Sequence, residues 1–220
     1  MFVWLAALLT SLPAAPGAAA PRYYFILFGG QSVPFQPRTA HTWATFVKTT
    51  PGADGKLAIE HVTISWLPAK GPVQPLRVRP AAGKNYTLEE TFAAAAKNNA
   101  RTSMWGPFET DALRYDLAVS QAHALTSGAV RFRSVDSFRG NRKVQNCVHA
   151  VTYADPNLQH LCQPVLRVGE PDTSKLAAKY VKSGAFTGTQ THDWLLPALG
   201  LDKHPVVRRE PGEHIPRQWR

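Results

Sequence analysis

Tyr23 to Phe28 (YYFILF) is a short run of aromatic and branched residues closed by Gly29-Gly30, and it predicts a buried strand running into a loop. His41 to Lys48 (HTWATFVK) has the residue types of a pleated surface. Pro51 to Gly55 (PGADG) reads as a turn, and Leu57 to Leu67 (LAIEHVTISWL) returns as a second strand, so residues 41–67 predict a hairpin. Successive strand side chains face opposite ways. His41, Trp43, Thr45 and Val47 therefore share one face of the first strand. In the second, His61, Thr63 and Ser65 share a face, while Glu60, Val62, Ile64 and Trp66 share the other. Each strand carries a histidine, and the register decides whether the two meet.

The period then changes to helical. Thr87-Leu88-Glu89-Glu90 has the form of a capping box and starts a helix through the alanines to about Ala100. Glu109 to Ser127 places Leu113, Leu117, Val119, Ala122 and Leu125 at near-helical spacing, with Gly128 as a stop. A third helix is expected from about Thr173 to Ser183, capped by Asp172 and stopped by Gly184. A short one is expected at Trp194-Leu195-Leu196, capped by Asp193. Between the helices, Ala129 to Val135 (AVRFRSV) alternates like a strand, and Trp105-Gly106-Pro107 reads as a loop. The fold class is α+β, a small antiparallel sheet packed with helices.

The 220 residues are 44% hydrophobic, enough for one core and marginal for two, so a single domain over residues 21–200 is expected. Met1 to Leu12 is an unbroken apolar run followed by Pro13 and the small residues Ala14 to Ala20, the order of a secretory signal over residues 1–20. That run is too short for a stable bilayer anchor, and no second one of spanning length occurs, so a secreted or periplasmic and not transmembrane protein is expected. Residues 201–220 read as a basic, solvated C-terminal tail. The formal charge of +10 suits an anionic surface such as a cell-envelope polymer or lipid head group. It comes without the aromatic-basic pattern of RNA binding or a recognition helix, so no nucleic acid is expected.

The candidate chemistry centres on Cys147. In Asn141 to Ala150 (NRKVQNCVHA) polar and basic residues precede a helix-compatible run that begins at this cysteine. A helix N-terminus offers unpaired amides and the positive end of the backbone dipole, and both favour a thiolate and an oxyanion. The chain has one other cysteine, Cys162, and an oxidising compartment makes a Cys147–Cys162 disulfide the competing expectation. Cys147-x-His149 and His160-x-Cys162 also form a mirrored set of possible zinc ligands. Their one-residue gaps are unlike zinc-knuckle spacing, and no glycine-rich phosphate loop occurs, so no metal or cofactor is expected.

The order His41 in HTWATFV, His61 in IEHVTISW and Cys147 in NCVH resembles that of the circularly permuted papain-like cysteine hydrolases and transferases. That group includes the permuted NlpC/P60 proteins and the lecithin:retinol acyltransferase-like enzymes. The resemblance covers roughly residues 38–155 and implies a permuted papain-like (NlpC/P60-like) architecture. It further implies a cysteine-dependent hydrolase or acyl transferase, which the expected signal would export. Such an enzyme would attack an amide or ester through an acyl-enzyme, with cell-envelope, lipid, peptide and small-amide substrates all left open. Cys147 would be the nucleophile, His41 the general base and His61 the orienting group, with Glu60 as the rival for that third role. The alternative is a non-catalytic, basic, secreted binding module stapled by the Cys147–Cys162 disulfide.

Overall fold

The computed structural model describes residues 20–52, 54–136, 141–161, 169–188 and 190–216. The expected signal segment, apart from Ala20, lies outside them. In chain order the elements are β1 (Arg22–Ser32), β2 (His41–Pro51), β3 (Leu57–Ile64), β4 (Trp66–Pro68), β5 (Ala81–Asn85), α1 (Leu88–Lys97), β6 (Ala100–Thr110) and α2 (Ala112–Thr126). They continue as β7 (Arg131–Phe132), β8 (Val144–Gln145), α3 (Cys147–Thr152), α4 (Glu170–Lys182), α5 (Leu195–Ala198) and β9 (Val206–Arg208). The molecule is α+β, with one sheet in the order β3-β2-β1-β6-β9 and a smaller one in the order β4-β5-β7-β8.

The expected hairpin is present, with Thr45 opposite Thr63 and Val47 opposite His61. β1 lies inside the main sheet between β2 and β6, and both of its faces are buried. A strand covered on both faces has no reason to alternate, which accounts for the continuous apolar run YYFILF. On one face Phe25, Leu27, Ala44 and Phe46 pack with Val148 and Val151 of α3 and Leu176 and Tyr180 of α4. On the other, Ile26, Phe28, Trp43 and Met104 pack against Leu88 and Phe92 of α1 and Leu201. The Thr87–Glu90 capping box forms in both directions and holds α1 on that second face.

Several expectations give way to tertiary context. The first helix stops at Lys97, and Trp105-Gly106-Pro107 is not a loop but the middle of β6, beside β1. There Phe25 pairs with Phe108 and Leu27 with Trp105, so Gly106 and Pro107 together oppose Ile26 in a bulge. A bulge removes the ladder bond that proline cannot make and uses the positive φ of Gly106, 95°. The strand read at Ala129–Val135 shortens to Arg131–Phe132. α4 begins at Glu170 with Gly169 as its cap, so Asp172 sits in the first turn, and Asp193 pairs with Arg208 instead of capping α5.

Another concerns the basic C-terminal segment, whose described part is folded against the body. β9 adds to β6 in parallel, Ile215 joins the core, and the Trp105 indole donates to the Glu210 carbonyl at 3.1 Å. Its apolar anchors are single residues between prolines and charges, a spacing without strand or helix period. No helix among the described residues is long and apolar enough to cross a membrane.

Candidate functional site

Cys147 is the first residue of α3, as the sequence suggests, and the Asn146 side chain caps the helix by accepting from the His149 amide at 2.8 Å. The helix start does not make it a thiolate. Cys147 is buried, and burial pushes its thiol up to about 11 despite the amides of Thr42 and Val148 that donate to the sulfur. The adjoining void, bounded by Asn146, Ser134, Ala40, Leu67 and Val73, is about 30 Å³, room for roughly one water. The thiol is free. Cys162, its partner in the disulfide alternative and a member of the mirrored zinc set, lies outside the described residues.

His149, two residues on, is occupied. Its Nδ1 lies 2.6 Å from Asp136 Oδ2 and its Nε2 lies 3.0 Å from the Leu161 carbonyl. Burial lowers its pKa, but the bond and charge of Asp136, helped by that carbonyl, outweigh burial and leave it raised. Both ring nitrogens face acceptors, so the imidazolium is the form that satisfies them. Asp136 also accepts from the Asn146 amide and side chain, so the pair fixes the entrance to α3. Among the described residues no cluster of three metal-ligating side chains forms.

His41 is not brought to Cys147. Strand alternation separates them: the Thr42 side chain bonds Thr173 of α4 at 2.7 Å, while His41 stacks on Trp43 on the opposite face. His41 Nε2 lies 2.9 Å from Ser65 Oγ, and Nδ1 has no hydrogen-bond partner. His61 lies opposite Val47, six residues along β2 from His41, or roughly 20 Å at the rise of a strand. It is exposed, with its pKa lowered by partial burial, and Glu60 pairs with Lys48 at the surface. The arrangement Cys147, His41, His61 is therefore not assembled, and Glu60 does not complete it.

What His41 does line is a cavity of about 730 Å³, within the range of small-molecule sites. Its walls are the end of β1, the turn at Pro37–Thr39, the start of β2, β4 with the loop after it, and one side of α1. Trp43 and Tyr86 supply rings, and Arg38 and Lys97 supply positive charge. Among the described residues no Asp or Glu lines it. A Cβ at Gly30 would lie 3.2 Å from the Trp43 ring, closer than packed side chains ordinarily come.

Two lining residues carry anomalies. The Nδ1 of His41 and the Nε1 of Trp43 are buried without a hydrogen-bond partner. Leaving a buried polar group unpaired costs about 1–3 kcal/mol, and both nitrogens are closed off from the cavity as well as from protein partners. Desolvation also holds the His41 pKa down to about 3, which leaves the ring neutral across the physiological range. Beside it, the Thr91 hydroxyl lies within hydrogen-bond distance of both Ser65 Oγ, 2.8 Å, and the Thr87 carbonyl, 2.6 Å. The period-two spacing of His41 and Trp43 was visible in the sequence. Thr91 and Lys97 could not be joined to them without knowing that α1 covers this face.

No family model matches the chain, and neither the curated proteins nor the solved structures contain a match to it.

Proposed function

We propose that the protein is a binding module that takes a small organic molecule into the cavity between β2, β4 and α1. The observation that carries this reading is the cavity itself, about 730 Å³, with the Trp43 and Tyr86 rings, Leu67, Pro72 and Val73 among its lining residues. The basic rim and the absence of acidic lining residues among those described fit the net charge of +10 and favour anions at the entrance.

Acyl transfer through Cys147 has less behind it. Its thiol is held protonated by burial, His41 Nε2 faces Ser65, and both nitrogens of His149 are engaged. The binding reading is tested by saturation-transfer NMR with small acids, amides and amines, on the wild type and on Ala95→Phe, which narrows the cavity from α1. Signals that vanish in Ala95→Phe support it. Signals indifferent to the filled cavity, or none, overturn it.

A further inference from the structure

We propose that the loop between β4 and β5 docks the protein on a lipid bilayer that carries anionic head groups. Leu76 and Val78 enter the interface, and Lys70, Arg77 and Arg79 meet the lipid phosphates. The docking concerns the outer side of this loop and is independent of what the cavity binds.

Leu76 and Val78 are the most exposed large hydrophobic residues among those described, at 84% and 80%. Single apolar residues on a surface are ordinary, but these two lie two positions apart on one loop. The Arg77 amide donates to the Gln74 carbonyl at 3.1 Å, which closes a turn with Pro75 and Leu76 as its central residues. Gly, Asn, Asp or Ser, which water solvates, ordinarily follow the proline of such a corner. Here a leucine does. The loop is held from behind, since the Arg133 guanidinium donates to the Val78 carbonyl at 3.1 Å and the Ser134 hydroxyl to the Gln74 carbonyl at 3.4 Å. A tethered backbone presents the apolar tip, so docking has little chain left to order.

Charge decides the partner. Residues 61–88 hold Lys70, Arg77, Arg79 and Lys84 and neither Asp nor Glu. Lys84 pairs with Glu90, while no carboxylate among the described residues pairs with the other three. β7 and the approach to β8, in the same small sheet, add Arg131, Arg142 and Lys143, all exposed. Between Asp116 and Asp155 the one acidic residue is Asp136, which is buried against His149. Each cation held near an anionic leaflet strengthens binding by about fivefold. A soluble polyanion would use the same cations but gains nothing from Leu76 and Val78. A bilayer uses both, because aliphatic side chains enter the boundary between head groups and acyl chains.

The experiment is cosedimentation of the full chain with vesicles of phosphatidylcholine, alone or mixed with phosphatidylglycerol, alongside binding to heparin as a soluble polyanion. The proteins are the wild type, Leu76→Ser/Val78→Ser and Arg77→Gln/Arg79→Gln, all at exposed positions, with urea unfolding to confirm that stability is unchanged. All three share residues 1–20, so the apolar run there cancels in the comparisons. The wild type is expected to bind the anionic vesicles roughly tenfold tighter than the neutral ones, an advantage that added salt removes. The aliphatic variant is expected to lose roughly tenfold on anionic vesicles and nothing on heparin. The arginine variant is expected to lose about fivefold or more on both. Equal binding of the wild type and the aliphatic variant to anionic vesicles overturns the proposal, because the loop is then a general polyanion site. Wild-type binding that is absent, or equal on the two kinds of vesicle, overturns it as well.

Discussion

Thr42 and Cys147 meet through a backbone amide that donates to the thiol sulfur, while His41, the residue before Thr42, turns its ring to the other side of the sheet. One step along a strand thus separates the sulfur from the imidazole. A base on a strand reaches a nucleophile on a packed helix only when its parity selects the face that the helix covers. In this chain α3 covers the face of Ala44 and Phe46, and His41 belongs to the face of Trp43.

The first consequence is an unreactive Cys147. With its pKa at about 11 against about 8.5 for a free cysteine, the thiolate fraction near pH 7.5 is lower by roughly two orders of magnitude. Burial slows attack further. Iodoacetamide labelling of the native protein, read by mass at the Cys147 peptide, is expected to run at least a hundredfold slower than for a free cysteine, with no change in His41→Ala. Rapid labelling near neutral pH that is lost in His41→Ala would restore the catalytic assignment.

Much of the scaffold was legible because its signals are local. A capping box, a turn of Pro, Gly and Asp, and a run of aromatic residues each act within a few positions, and α1, the hairpin and β1 follow from them. β6 was not legible, since Gly106-Pro107 reads as a break, and only the pairing with β1 shows the break to be a bulge. Of the site, His41 and Trp43 were legible as sharing a face. What the face would be used for was not, because α1 reaches it from about fifty residues away in the chain.

Asp136 and His149 are both almost fully buried and lie 2.6 Å apart. The folded-state pKa of His149 is raised, so its contribution is fully present below the unfolded value of about 6.5 and is lost as pH rises through the folded value. Stability is therefore expected to decline as pH rises above about 6.5, by an amount that Asp136→Asn removes. The same substitution leaves His149 buried without its charge partner and is expected to cost about 3–5 kcal/mol. Urea unfolding followed by tryptophan fluorescence at pH 6, 7.5 and 9 measures both effects. A wild-type stability that is flat over this range would show that the pair does not depend on the charge of His149.

His41 produces the opposite slope on the acid side. Desolvation depresses its folded-state pKa to about 3, so between about pH 6.5 and 3 the unfolded chain holds a proton that the native chain refuses. Unfolding takes up that proton, and stability falls as pH drops, at up to about 1.4 kcal/mol per unit. In the window from about 6.5 to about 5 most carboxylates have not yet begun to titrate, and His61, whose pKa is also lowered, adds a slope of the same sign. His41→Gln is expected to remove the His41 share and leave that of His61, in urea unfolding at quarter-unit steps of pH.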